Sequence, residues 1–580
     1  MTDQERYQIT SNDYADLLIE YNGNMDVFKY YPSGSINYIN EDFAILHIPV
    51  YNMTQDSISK YGYFSIPTCF GLLSVCQNTS YEADSLPNDP PQNELTGQGV
   101  LIGFIDTGID YTNPVFLTSE NTTRILSLWD QTVDSDRYPE GFYYGTEYSR
   151  DRINEALAVP DPLSVVPSLD EIGHGTALAG VAAGSPEDQH SFSGIAPDAD
   201  FLIVKLKQAK PYLKEFFIIP ENAICYQEND IVLGVKYLFQ TAKRLNRPLV
   251  ICLGIGTGQS DHTGNRIISR YLAAVGAVTG NAIIVSAGNE GNRRHHYYGA
   301  IENPLDTDNV FLNVGKDEPG FSMQFRSTSP NQFWFDIYAP TGEFVVTIPP
   351  IPNKTLAYHY KDTTLVVDNS LLEPQTNTQL MVFRIRKPAA GIWRLYTYNK
   401  LESLPMQFHL WLPIQDFISK STFFYRSDNY TTITAPGNQL RLICSTAYNP
   451  ADKTLYYYAS KGFTINNEPK PDLTAPGVDI ISPTTNNHFA ASTGTSISAA
   501  YIAGVTALIL EWGIVRGHYT KMNTANIKRL LIQGADRDPL ITYPSPDWGY
   551  GILNITKVVN SLTMLLPNTT SAIPPSPYLT

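Results

Sequence analysis

Residues Gly99 to Ile105, GVLIGFI, form an unbroken apolar run with none of the polar alternation of a half-exposed strand. Such a run fits a strand buried on both faces, as in a parallel sheet covered by helices. Similar runs recur at Phe201-Leu202-Ile203-Val204, Leu249-Val250-Ile251-Cys252-Leu253 and Ala282-Ile283-Ile284-Val285. Helix-length segments lie among them, at Asp230 to Leu245 and Arg266 to Thr279. Buried strands alternating with helices predict an α/β fold, a parallel sheet with helices on both faces.

The 580 residues leave room for about two to four compact units. With 43% hydrophobic and only 17% charged residues, the chain can build the cores that a disordered chain lacks. Forty Lys and Arg against 57 Asp and Glu give a net charge of −17, the wrong sign for a sequence-independent nucleic-acid binder. The densest basic spot, Arg293-Arg294-His295-His296, is too short to change this. The five cysteines, Cys69, Cys76, Cys225, Cys252 and Cys444, include no CxxC pair. They read as buried reduced thiols rather than a disulfide framework or a zinc site. The N-terminus, MTDQERYQITSNDY, has no apolar signal core, and the apolar stretch Tyr501 to Leu510 stops at Glu511, short of a membrane span. The expectation is a soluble chain with no export signal and no membrane insertion.

Two strand-like runs, Asp16 to Tyr21 and Phe43 to Ile48, with turn chemistry at Asn22-Gly23-Asn24, mark a small N-terminal unit at 1–76. A polar stretch ending in Asn88-Asp89-Pro90-Pro91-Gln92-Asn93 makes 77–96 a linker. The α/β pattern fills 97–302 and resumes in 426–565 with Leu440-Arg441-Leu442-Ile443-Cys444 and an apolar helix over 496–515. Between these parts, 303–425 carries eight short alternating stretches, at 309–314, 321–328, 333–338, 343–348, 363–368, 378–385, 391–398 and 406–412. They predict an inserted all-β, jelly-roll-like sandwich. The proline-rich residues 566–580 form a tail.

Three motifs sit where an α/β sheet places functional groups, at strand ends and helix starts. Asp106, in Gly103-Phe104-Ile105-Asp106-Thr107-Gly108, ends a buried strand and suits a structural, metal-binding or orienting carboxylate. His174, in Gly173-His174-Gly175-Thr176, opens a small-residue helix, a placement open to a general base or to a merely packed residue. Ser496, in Thr493-Gly494-Thr495-Ser496-Ile497-Ser498, opens the long apolar helix. A serine there is ordinarily a cap. It is also where a nucleophile would profit from backbone N–H groups aimed at a developing oxyanion. Ser496 is preferred over Ser498 because it follows the Gly-Thr turn. Asn289, in Ser286-Ala287-Gly288-Asn289-Glu290-Gly291, ends another buried strand and could lend its amide to the same oxyanion.

In this order the four motifs resemble the subtilisin-type serine proteases, whose triad runs Asp, His, Ser along the chain. The resemblance covers roughly 97–300 and 430–560 and includes Leu473-Thr474-Ala475-Pro476-Gly477. It implies Asp106, His174 and Ser496 as the catalytic triad, Asn289 as the oxyanion donor, and Cys252-Leu253-Gly254 as the strand lining the substrate subsites. The sequence departs from the family in three places. Ala177 replaces a common second histidine. The interval from Asp106 to His174 is long and tyrosine-rich, as if to shape the substrate cleft. The interval from Asn289 to Ser496 is long enough to hold the sandwich.

A subtilisin-like core with a short prodomain and an inserted sandwich resembles the Csp germination proteases of spore-forming clostridia. That resemblance implies that 1–76 is a prodomain acting as an intramolecular chaperone, clipped within about 66–92 and able to remain bound. It further implies activation of a pro-form cortex hydrolase by limited proteolysis, in a cytoplasmic or spore-associated setting. The partners expected are a protein or peptide substrate and the prodomain itself. No cofactor is called for; calcium is common in the family, but no ligand set is legible and no metal residue is assigned. The competing readings are a pseudoprotease that binds or senses a ligand, and a binding protein using Trp334, Trp393 or Trp411 of the sandwich as its face. Aromatic residues in strands more often face a core.

Overall fold

The computed structural model describes residues 2–73, 94–303, 306–328, 330–399 and 406–564. Cys76, most of the expected linker 77–96 and the expected tail 566–580 lie outside the described residues. At the centre is an eight-stranded sheet in the order Leu473–Pro476, Ile443–Tyr448, Asn281–Ser286, Leu249–Leu253, Leu101–Asp106, Asp200–Lys205, Ile125–Asp130, Thr146–Ser149. Every neighbouring pair is parallel except the last, an antiparallel edge.

The strand period of two separates the two faces. Ile102, Phe104, Val250, Cys252, Ala282 and Ile284 pack under the helices His174–Ala183 and Thr495–Leu510. Leu101, Ile105, Leu249, Ile251, Leu253, Ile283 and Val285 pack under Glu228–Leu245 and Ile267–Ala277. At Gly103 a Cβ would come within 2.7 Å of Leu238, so the second layer lies close. The segment Thr495–Val515 is apolar and long enough to cross a membrane, yet it is packed inside the protein.

Leu101–Asp106 is the first strand of the sheet in sequence, and later strands are added on both its sides. Its carboxyl end is therefore a switch point, where an α/β sheet opens a crevice.

The sandwich packs a six-stranded sheet on a five-stranded one, both antiparallel, around Phe321, Phe325, Phe333, Phe335, Phe383 and Phe408. Beyond the eight expected stretches, His296–Ile301, Lys354–Tyr360 and Phe423–Phe424 are also strands. Lys354–Tyr360 is an edge strand with no fully buried residue, and Phe423–Phe424 is only two residues long, so neither shows an alternating pattern. The first sandwich strand starts at His296, ahead of the expected 303. Trp393 and Trp411 are buried, and Trp334 stacks on Tyr398 at 5.4 Å, so the three tryptophans form no common exposed face. Trp411 instead stacks on His262 at 3.7 Å, fastening the sandwich to the α/β body.

The N-terminal unit is a three-stranded antiparallel sheet, order Tyr14–Glu20, Phe43–Pro49, Ser35–Tyr38, with the capped helix Asp3–Thr10. It shares one core with both other units: Leu17, Leu46, Tyr61 and Phe64 pack with Leu213, Phe216 and Phe217 of the body and with Leu380 and Val382 of the sandwich. Between N-terminal unit and body lies Asp16, 1% exposed. Its carboxylate accepts from His47 Nδ1 (2.7 Å), Lys210 Nζ (3.0 Å) and Gln227 Nε2 (2.8 Å). Burial opposes charge on Asp16, but Lys210 and His47 outweigh it and hold the carboxyl well below its ordinary range. Arg6, on the helix Asp3–Thr10, pairs with Asp134 (2.7 Å) in the tyrosine-rich interval, so part of that interval docks the N-terminal unit.

Candidate active site

Asp106 is the last residue of its strand at the switch point, and His174 is the first of its helix. Two glycines bring them together. Gly173 takes a left-handed φ of 83° to start the helix, and Gly175 lies so close that a Cβ would meet the Gly108 carbonyl oxygen at 2.1 Å. Asp106 Oδ1 thus stands 2.7 Å from His174 Nδ1, with both side chains buried. The other ring nitrogen, Nε2, stands 3.3 Å from Ser496 Oγ. Burial disfavours the imidazolium, but the charge and hydrogen bond of Asp106, aided by Asp170, raise the His174 pKa above its ordinary value.

Of the two candidate hydroxyls at the helix start, only Ser496 has a hydrogen bond to the histidine among the described residues. Ser498 bonds to Ser445 and to the Thr446 carbonyl, inside the core. Asn289 turns its carbonyl oxygen to the backbone N–H (3.2 Å) and hydroxyl (3.0 Å) of Thr495. That contact fixes the amide plane, with Nδ2 as its donor end.

The groove beside these residues holds a strand of the N-terminal unit. Cys69–Leu72 lies between Ile255–Gly256 and Tyr226–Gln227, antiparallel to both, with Gly71 opposite Gly256 and Phe70 opposite Tyr226. Leu73 continues it: its N–H donates to the Gly254 carbonyl (3.3 Å), and its own carbonyl oxygen accepts from Ser496 Oγ at 3.1 Å. At Gly254 a Cβ would touch His174 and Ser496 at 3.0 and 3.1 Å, so glycine lets the chain pass.

The edge that pairs with this strand is therefore Gly254–Gly256, and the expected Cys252-Leu253-Gly254 needs correcting. Cys252 and Leu253 belong to the central sheet, where they face its two helix layers, and of the three it is Gly254 whose backbone hydrogen-bonds to the bound chain, at Leu73.

The family model described as "Subtilase family" matches residues 97–379 and 420–552. The chain belongs to the subtilase family. Among solved structures it is similar to the CspB protease of Clostridium perfringens, with a TM-score of 0.72 and 28% identity over 82% of this chain and 96% of that one. Among curated proteins it is similar to the C5a peptidase of Streptococcus pyogenes, at 23% identity over 73% of this chain and 36% of the relative. It is also similar to the Arabidopsis thaliana subtilisin-like protease SBT1.9, at 26% identity over 72% of this chain and 57% of the relative. The chain thus spans about a third to just over half of these curated relatives.

In this subtilase a further carboxylate supports the histidine. Asp170 is fully buried; Oδ1 accepts from the Gly173 N–H (2.8 Å), and Oδ2 from the N–H (3.0 Å) and hydroxyl (2.7 Å) of Thr176. It holds the first turn of the His174 helix and lends negative charge to the imidazole. Its only sequence signal is an acidic residue shortly before a helix start, a common capping pattern. Asp110 is likewise buried, accepting from Thr112 and from the Asn486 N–H (2.9 Å), a turn-holding role.

Proposed function

We propose that the protein is a serine endopeptidase that cleaves its own chain after Leu73 and then acts on a protein substrate by limited proteolysis. The observation that carries this reading is the Leu73 carbonyl, held against Ser496 Oγ by a strand paired as a substrate would be. Ser496 Oγ attacks the Leu73 carbonyl carbon while His174 Nε2 takes the hydroxyl proton. Asp106 keeps Nδ1–H directed to itself and stabilises the imidazolium. The oxyanion receives the Ser496 backbone N–H, at a helix start, and the Asn289 amide. His174 then returns its proton to the departing amine, and water releases Leu73 from the serine by the same steps in reverse. Every proton in this scheme is carried by His174, so it draws on no cofactor.

In this reading 1–73 is the prodomain. It stays bound after cleavage because its core is shared and Asp16 is buried against Lys210. The likeness to a clostridial CspB protease extends the reading to a spore-germination pro-enzyme as substrate and to a cytoplasmic or spore-associated setting. Intact-mass measurement of the purified protein tests it. The wild type is expected as two chains divided after Leu73 and Ser496→Ala as one, with only the wild type labelled by a fluorophosphonate. A wild type that stays whole and unlabelled would overturn the reading in favour of a pseudoprotease.

A further inference from the structure

Counted back from the proposed cleavage point, Gly71 is the third residue, and it is buried. Its φ lies outside the left-handed region, so the backbone alone does not demand glycine. The demand comes from above. A Cβ on Gly71 would stand 2.5 Å from Ile414 Cδ1 and 3.2 Å from the Phe417 ring. Both residues sit on the segment that joins the sandwich strands Met406–Trp411 and Phe423–Phe424, and each is 2% exposed.

This segment is pinned. Leu412 N–H donates to the His295 carbonyl (2.8 Å), Gln415 N–H donates to Glu290 Oε1 (3.1 Å), and His295 Nδ1 is 2.7 Å from Glu290 Oε2. Glu290 directly follows Asn289, so the roof over the bound strand is tied to the strand end that carries the oxyanion candidate. Ile414 can yield slightly to a methyl group. A branched side chain would have to displace both it and the Phe417 ring, which the surrounding core resists.

We propose that Ile414 and Phe417 are specificity-determining residues that select glycine three residues before the scissile bond, in the chain's own processing site and in its protein substrates. The inserted sandwich thereby takes part in substrate choice through the segment between two of its strands. The proposal rests on the self-cleavage reading above.

The test follows self-cleavage after cell-free synthesis of the full chain, by intact mass over time. Gly71→Ala is expected to slow cleavage modestly and Gly71→Leu by roughly tenfold or more. Adding Ile414→Ala and Phe417→Ala to Gly71→Leu should restore the rate, with the cut still after Leu73. The same substitutions in the Ser496→Ala background report solubility. If Gly71→Leu alone fails to fold, recovery of both folding and cleavage on opening the roof carries the proposal. Cleavage of Gly71→Leu at the wild-type rate overturns it, as does failure of the opened roof to rescue. A wild type that never cleaves takes down the self-cleavage reading first, and this one with it.

Discussion

Asn289 gives its carbonyl oxygen to Thr495, the residue immediately before Ser496, through both the backbone N–H and the hydroxyl. The amide and the serine are thereby placed by one contact between the turn after strand Asn281–Ser286 and the start of helix Thr495–Leu510. On the proposed mechanism Asn289→Ala is expected to lower the self-cleavage rate by about 10²–10³, the cost of removing one oxyanion donor. Thr495→Val keeps the backbone bond and loses the hydroxyl bond, so its loss should be smaller. Rate constants from time-resolved intact mass compare the two.

In the proposed mechanism His174 must be neutral to accept the serine proton. Its pKa is raised above the ordinary 6.5, so cleavage should fall on the acid side of that elevated value and recover as pH rises through it. Asp170 contributes to the elevation. Asp170→Asn should therefore move the acid limb of the pH–rate profile to lower pH, besides slowing cleavage through a weaker helix start. An unmoved limb would mean that Asp170 only caps the helix.

Asp16 joins the N-terminal unit to the body with its pKa depressed from an ordinary 3.8. A depressed carboxyl stabilises the folded, bound form fully above the ordinary value, and this contribution is lost as pH falls below it. The cleaved N-terminal fragment should co-elute with the body at neutral pH and begin to separate below about pH 4. Asp16→Ala leaves Lys210 buried without its partner, a cost of about 3–5 kcal/mol. It should release the fragment even at pH 7, read by size-exclusion chromatography.

Arg266 is fully buried, and its guanidinium meets Glu228 Oε2 at 2.6 Å and the Ile66 carbonyl at 2.9 Å. Glu228 also accepts from the N–H and hydroxyl of Thr68 (3.2 Å each), so the pair anchors the chain just before the groove strand. Glu228→Ala should destabilise the protein by about 3–5 kcal/mol, the price of an uncompensated buried charge. Arg266→Met with Glu228→Gln should cost less, because neither variant side chain is charged. Denaturant midpoints decide between them.

Much of the α/β body was legible because it obeys local rules. Runs such as Leu249–Leu253 are apolar at every position since both faces of the sheet are covered, and the glycines around His174 mark where backbones touch. The short or exposed strands, Phe423–Phe424 and Lys354–Tyr360, escaped because pairing partners, not patterning, make them strands. Asp170 escaped because a capping acid looks the same whether or not a histidine lies beside it.

The sequence by itself determined the α/β class, the order of the Asp, His, Asn and Ser motifs and the presence of an inserted β unit, because each depends on periodicity or on residues close in the chain. Tertiary structure alone decided between Ser496 and Ser498, moved the groove edge from Cys252-Leu253-Gly254 to Gly254–Gly256, and put Leu73 against a serine 423 residues away. It alone set Ile414 and Phe417 over Gly71. Those relationships are distances between side chains and backbones that meet only when three units close on a common core, and spacing along a chain does not encode them.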